Sequence, residues 1–221
     1  MQTLKKSTIS SAVALLTVSA IGYFSLPDAQ AQSGRTPWRN LSPAQLTGVH
    51  WQWILGSQVS TSAVFDDTGV FAFNNQPYFT APGGPGQLLF LGGTFSVNQV
   101  ANGDILGEAE RTITIKQGTS LFFPLIDGEW DNLLQTPHWG GKILGHATGV
   151  PTLKEIVSVS PNNAVGLFSS LNGVSIPYSR LKSGPFVYTL PATDNLLQAS
   201  GIDVTGTVAP AVSDGYWSFI P

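Results

Sequence analysis

None of the 221 residues is cysteine. Such a chain forms no disulfide, offers no thiolate nucleophile and supplies no sulfur ligand to a metal. Burial of apolar surface must therefore hold it together, and the length allows it, since a domain of about this size hides roughly 70% of the surface its unfolded chain exposes. The composition agrees: 42% of residues are hydrophobic, only 10% are charged, and 12 Phe, 6 Trp and 5 Tyr are present. This is the opposite of a disordered chain. The 24 Gly and 15 Pro imply frequent turns and short elements. A formal net charge of -3 leaves no basic surplus to neutralise phosphates, so nucleic acid is not an expected partner.

The first 31 residues read as an address. Lys5 and Lys6 precede an apolar run from Ala12 to Phe24, and Ala29-Gln30-Ala31 has the small-x-small pattern of a signal peptidase site. The run makes only about 20 Å of helix, short of a hydrocarbon core of about 30 Å. The expectation is a signal peptide over 1–31, cleaved after Ala31, and a secreted or periplasmic protein with no membrane span after cleavage. A linker over 32–41 and a single β-rich domain over 42–221 complete the organisation.

Helix signals are few. Ser42 and Gln45 have capping-box spacing, Pro43 falls where no donor is lost, Leu46, Val49 and Trp53 share a face, and Gly56 marks the end, although Gly48 lies inside. Thr152 and Glu155 suggest a second capping box, with Leu153, Ile156 and Val157 on one face and Pro161 as the stop. Asp194 and Gly201 bracket a short third helix over Asn195 to Ala199. The rest reads as strands: the apolar run Gln87 to Leu91, the alternating Glu110 to Lys116, and Ser120 to Ile126, which Gln117-Gly118 turns into a hairpin with the preceding strand. Pro124 demands an edge or a bulge. Asn172-Gly173 joins Val165–Leu171 to Val174–Ile176, and Pro185 to Leu190 and Tyr216 to Ile220 follow. The expected class is mainly β, an antiparallel β-sandwich of jelly-roll type or a barrel, with two or three short helices.

Several blocks occur in a fixed order: Trp51-Gln52-Trp53, Asp66-Asp67-Thr68-Gly69, Leu88 to Phe95, Arg111-Thr112, Leu121 to Asp127, Pro185 to Pro191 and Asp214-Gly215-Tyr216-Trp217. In this order they resemble an uncharacterised family of secreted bacterial proteins with W-x-W, D-x-T-G, FLAGTF, LFFP and DGYW blocks. The resemblance covers most of the chain after residue 31. It implies export and a β-rich domain, and it brings no activity. Family members carry cysteines at positions aligned to Ala72 and Ile113, which implies that these two residues are neighbours here. Members also continue past DGYW with a further P-G-x-H strand, which implies an open sheet edge or a truncated C-terminus in this chain.

The densest polar stretch runs Asp127-Gly128-Glu129-Trp130-Asp131-Asn132, then His138, Gly140-Gly141 and His146. Three carboxylates at alternate positions can converge on one side of an extended segment, as a hard cation or an acid/base pair requires. Asp127, Glu129, Asp131 and His138 are the catalytic candidates, and Asp127 and Asp131 the weak metal candidates. The stretch fails as an EF-hand, because Asn132 stands where the Gly turn belongs and His138 where the bidentate Glu belongs. No HExxH helix supports zinc, and no G-x-S-x-G elbow supports a serine hydrolase. Pro82 to Gly86 lacks the Lys of a phosphate loop, and no cofactor is expected. The competing reading is a solvated acidic loop that caps its own turns. Trp130 and Trp139, beside Glu129, are the candidate ligand platform, whereas Trp51 and Trp53 belong to the core and His50 reads as a structural imidazole. The Asn40-Leu41-Ser42 sequon overlaps the helix cap and is explained by capping. Three functions stay open: a non-catalytic binder of an extracellular glycan or other ligand, a carboxylate- or metal-dependent hydrolase or lyase built on 127–146, and a structural envelope component.

Overall fold

The computed structural model describes residues 41–77, 87–94, 97–99, 105–107, 111–133, 138–139, 142–143 and 149–221, with backbone only for 97–99, 105–107, 138–139 and 142–143. The readings placed on residues 1–40, on the 82–86 glycines, on Glu110 and on His146 lie outside these. In chain order the elements are α1 (Pro43–Leu55), a 3-10 turn (Val59–Thr61), β1 (Leu88–Phe90), β2 (Val97–Gln99), β3 (Ile105–Gly107), β4 (Ser120–Asp131), β5 (His138–Trp139), β6 (Lys142–Ile143), α2 (Val150–Val157), α3 (Val159–Asn162), β7 (Ser170–Leu171), β8 (Val174–Ser175), β9 (Tyr178–Lys182), β10 (Phe186–Leu190), α4 (Leu196–Ala199) and β11 (Gly206–Ile220). Among the described residues no helix is long and apolar enough to cross a membrane.

Strands dominate, and the main sheet is built on one long antiparallel ladder between β4 and β11, running from Asp131↔Ala211 to Leu121↔Ile220. The other edge of β11 is shared end to end, by β10 along its first half and β9 along its second. On the far edge of β4 lies β1, and this pair is parallel. The expected all-antiparallel sheet is thus corrected to a mixed one, and among the described residues it does not close into a barrel. The pairs β2–β3, β5–β6 and β7–β8 form separate two-stranded ladders.

The parity of β4 decides what the sheet carries on each face. Tyr216 pairs with Ile126 but Trp217 pairs with Pro124, so Leu125 is an extra residue and β4 bulges there. Pro124, which has no N–H for a ladder, sits at the irregularity, as its chemistry requires. A bulge shifts side-chain parity by one. Before it, Phe122 points toward α1 and stacks on Trp217 at 4.9 Å between ring centroids. After it, Asp127, Glu129 and Asp131 lie on that same face, opposite Gly215, Ser213 and Ala211. Trp130 goes to the other face, where it packs on Leu153, Val157 and Val212 under α2.

Helix α1 forms as its sequence dictates. Ser42 Oγ accepts from Gln45 N–H, and Gln45 Oε1 accepts from Ser42 N–H at 2.8 Å. Gly48, unfavourable in a helix interior, is where Phe186 of β10 packs: a Cβ would stand 3.2 Å from its ring. The buried side of the helix joins Leu46, Trp51, Trp53 and Ile54 to Phe90, Phe122, Tyr188 and Trp217 in the largest core cluster. The open edge of β1 is closed by one side chain, since Gln76 accepts from Phe90 N–H and donates to Phe90 C=O at 2.6 Å.

Several local expectations need correction. Residues 111–117 form no strand, because both edges of β4 are already taken. Their alternation survives as packing, with Ile113 and Ile115 against Leu91, Leu121 and Phe123. Helix α2 starts at Val150 behind Gly149, with Pro151 in its first turn and no side-chain cap, so the Thr152–Glu155 box does not form. The chain breaks at Ser158, and Pro161 lies within α3. Asn195, not Asp194, caps α4, through a capping box with Gln198. Gly201 ends it with φ of +81°, as the sequence implies. The Asn172-Gly173 hairpin exists but pairs only 170–171 with 174–175. Strand β11 begins ten residues before Tyr216, at Gly206, because its Gly, Pro, Ser and Asp residues hide a strand that its three neighbours β4, β9 and β10 enforce.

Gly215 and Gly128 face each other's strands with different room. A Cβ on Gly215 would fall on Asp127 Cβ and within 2.6 Å of Ile126 O, whereas one on Gly128 would meet Val157 Cγ2 at an ordinary 3.5 Å. Gly215→Ala should therefore cost about 1–3 kcal/mol or more, lowering Tm by roughly 4–10 °C. Gly128→Ala should stay within about 0.5 kcal/mol. Thermal unfolding of the two variants checks both.

Candidate functional site

The segment expected to be an acidic loop is, up to Asp131, the second half of a central strand. Its three carboxyl groups do share one side, as alternation predicts, but they face α1. Asp127 and Glu129 keep part of their residue surface, yet Asp127 Oδ2 and Glu129 Oε1 are sealed from solvent with no hydrogen-bond partner. Asp131 is buried outright. It accepts from Tyr188 Oη and, at 2.6 Å, from Leu133 N–H.

Burial controls the charge state here. It pushes Asp127 up to about 7, offset in part by the Trp51 indole N–H that faces it. Glu129 is raised well above the usual carboxylate range, by burial first and by the charge of Asp131 second. Tyr188 is raised as well, by burial, by the Glu129 and Asp131 charges and by its bond to Asp131. At neutral pH burial therefore favours the protonated form of Glu129 and leaves Asp127 close to half protonated. Among the described residues no three His, Asp or Glu side chains come together as metal ligands.

His50, on α1, is the structural imidazole that the sequence reading supposed. Its ring is fully interior, edge-on to Trp217 at 4.9 Å and to Trp53 and Phe90 at 5.5 Å. Nε2 lies 3.3 Å from Leu91 C=O, and Nδ1 has no partner. Burial drives its pKa down to about 3, against the small upward pull of that carbonyl. An imidazole that stays neutral at every ordinary pH is a packing element, not a base.

The opposite face of the sheet carries a second polar constellation that sequence reasoning missed. Asp214, fully buried, accepts from Arg180 Nε at 2.8 Å and Nη2 at 2.7 Å, and from Ser158 Oγ at 2.7 Å; Lys182 Nζ lies 3.1 Å away. Burial would raise its pKa, but these donors outweigh it and hold the carboxylate below its usual range. Beside it Tyr216 lies edge-to-face with Tyr178 at 5.8 Å, and the Arg180 guanidinium sits 5.9 Å from the Tyr216 ring centroid. Tyr178 is 42% exposed. The only sequence signal was the alternation of Tyr178, Arg180 and Lys182, which a strand puts on one side. Nothing local announces that β11 brings Asp214 and Tyr216 next to it.

The remaining candidates separate. Trp130, expected as an exposed platform, is half-buried against α2, because bulge parity turns it away from Glu129. His138 and Trp139 lie in the β5–β6 ladder, and their side chains lie outside the described residues. Trp51 and Trp53 are core, with Trp53 Nε1 donating to Asn74 C=O at 2.7 Å. The Asp66-Asp67-Thr68-Gly69 block is a turn: Asp66 accepts from Thr68, Gly69 and Phe71 N–H. Arg111 locks that turn to the glycines after β1, donating to Asp66, Gly92 and Gly93 carbonyls. Gly69 lies against Thr112 and Ile113, and Phe73 packs with Ile113 in one cluster.

Acid stability follows from His50 and Asp214. The unfolded imidazole binds a proton below about 6.5 and the folded one only near 3, so the His50 contribution to stability is complete above 6.5 and is lost as pH falls toward 3. The depressed Asp214 carboxylate adds loss in the same direction as it protonates. His50→Gln should shrink the stability difference between pH 7 and pH 4 by roughly 3 kcal/mol in urea unfolding, whatever its effect at pH 7.

Family models, curated proteins and solved structures contain no match to this chain.

Proposed function

We propose that this chain is an exported, non-catalytic β-rich domain, of sandwich type, that binds a glycan or another extracellular ligand. Its binding surface is the β9–β11 strip of Tyr178, Tyr216, Arg180 and Lys182. The supporting observation is the exposed Tyr178 set edge-to-face on Tyr216 with Arg180 over the second ring. Flat aromatic faces pack on the apolar face of a sugar ring, and a guanidinium and an ammonium beside them donate to its oxygens. Arg180 and Lys182 share a single carboxylate, Asp214, so the strip keeps one uncompensated positive charge. No cofactor is needed for this role.

The chain from Gln32 to Pro221 should bind at least one member of a glycan array and gain thermal stability with it. Tyr178→Ala should weaken that binding about ten-fold or more while changing stability by less than about 0.5 kcal/mol. A flat array response overturns the reading in favour of a structural envelope component.

A second reading, a hydrolase or lyase using Asp127, Glu129, Asp131 and His138, is favoured by a different observation: Asp127, held near 7, shares a face with Glu129, which suits a general acid at neutral pH. Turnover of any glycan on the array that disappears in both Asp127→Asn and Glu129→Gln would select it.

A further inference from the structure

The interface between α1 and the sheet holds more unsatisfied polar chemistry than a packing surface needs. Asp127 Oδ2, Glu129 Oε1, His50 Nδ1 and Trp217 Nε1 are all buried there without hydrogen-bond partners. The two carboxyl groups project from alternate residues of β4, about 7 Å apart along the strand. What lies against them settles their charge. From α1 come Trp51, facing Asp127, and Thr47, bonded to Ser213; His50, the only titratable side chain in the helix, is packed among Trp53, Phe90 and Trp217 and held neutral by burial. From β10 comes Tyr188, bonded to Asp131. From β11 come Ser213 and Gly215, opposite Glu129 and Asp127. Asp131, next on the strand, adds a like charge to Glu129. The cations Arg180 and Lys182 are on the other face, engaged by Asp214. No cation on these elements faces ionised Asp127 and Glu129, and only the Trp51 indole N–H partly offsets the charge of Asp127.

We propose that protons on the Asp127 and Glu129 carboxyl groups fasten α1 to the sheet, and that losing them on the alkaline side frees the helix while the β4–β11 ladder stays intact. Two anions sealed under a charge-free helix repel each other and Asp131, and the cheapest relief is to let water in by lifting that helix. The ladder has no such conflict. The sign follows from the raised pKa values: folded carboxyl groups that bind protons more tightly than unfolded ones stabilise the closed form at low pH. That stability declines as pH rises from the ordinary carboxylate range through about 7 for Asp127 and through the raised range of Glu129. The inference is independent of the glycan reading, because it concerns the face opposite the Tyr178 strip.

Hydrogen exchange of the full chain between pH 5 and 9.5, corrected for intrinsic exchange rates, tests it. Protection of residues 46–55 should fall at least ten-fold across neutral and alkaline pH while that of 211–220 holds. The double variant Asp127→Asn, Glu129→Gln, which mimics the protonated groups without changing their shape, should keep α1 protection flat. Unchanged α1 protection in the parent chain overturns the proposal, as does an equal fall in the double variant or a simultaneous loss over 211–220. If the double variant does not fold, Asp127→Asn alone serves, and with one of the two titrating groups gone it must lessen the alkaline fall in α1 protection. A fall as large as in the parent chain overturns the proposal too.

Discussion

One extra residue in one strand organises this molecule. Leu125 has no partner in the β4–β11 ladder, and its insertion reverses which side chains of β4 face α1. Phe122 reaches the main core on one side of the bulge, and Asp127, Glu129 and Asp131 take the same direction on the other. Without it Trp130 and Ile126 would continue the apolar face, and the three carboxyl groups would lie on the α2 side. The acid-rich interface under α1 and the half-burial of Trp130 are two consequences of the same irregularity, which Pro124 makes inexpensive because it could not have donated to the ladder in any case.

The long β11 strand is the complement of that device. Its four residues Asp214-Gly215-Tyr216-Trp217 divide their work by parity. Trp217 stacks on Phe122 in the core, and Gly215 makes room for Asp127. On the other face Asp214 gathers Arg180, Ser158 and Lys182, and Tyr216 supports the exposed Tyr178. A short motif thus serves both faces of the sheet, one dry and proton-holding, the other cationic and aromatic. Electrostatics differ accordingly: Asp127 and Glu129, facing α1, rise because they are buried with no cation against them, and Asp214 falls because three side chains donate to it.

Having no disulfide, the domain ties its loops with side chains. Arg111 joins the Asp66 turn to Gly92 and Gly93, Gln76 closes the edge of β1, and Asn195 donates to Pro191 and Val204 around α4. Each places a fork or an amide where backbone groups would otherwise be buried unpaired, a stabilising contribution that comes mainly from avoiding desolvated orphans.

Local chemistry was legible in the residues themselves. The Ser42–Gln45 cap, the Asn172-Gly173 turn, the Gly201 stop, the buried Trp51 and Trp53, and the demand of Pro124 for a bulge all depend on side chains within a few positions of one another, and each formed. So did the alternation that put Asp127, Glu129 and Asp131 on one side. Which side that was, and hence whether they met water or a helix, depended on the bulge register against a strand some ninety residues away. The same holds for the parallel partner that displaced the 111–116 hairpin, for the length of β11, and for the meeting of Tyr178 with Tyr216. Spacing along a chain sets parity and caps because those are short-range steric facts; strand partners and the sign of a pKa shift follow from what packs opposite, and only the assembled fold supplies that.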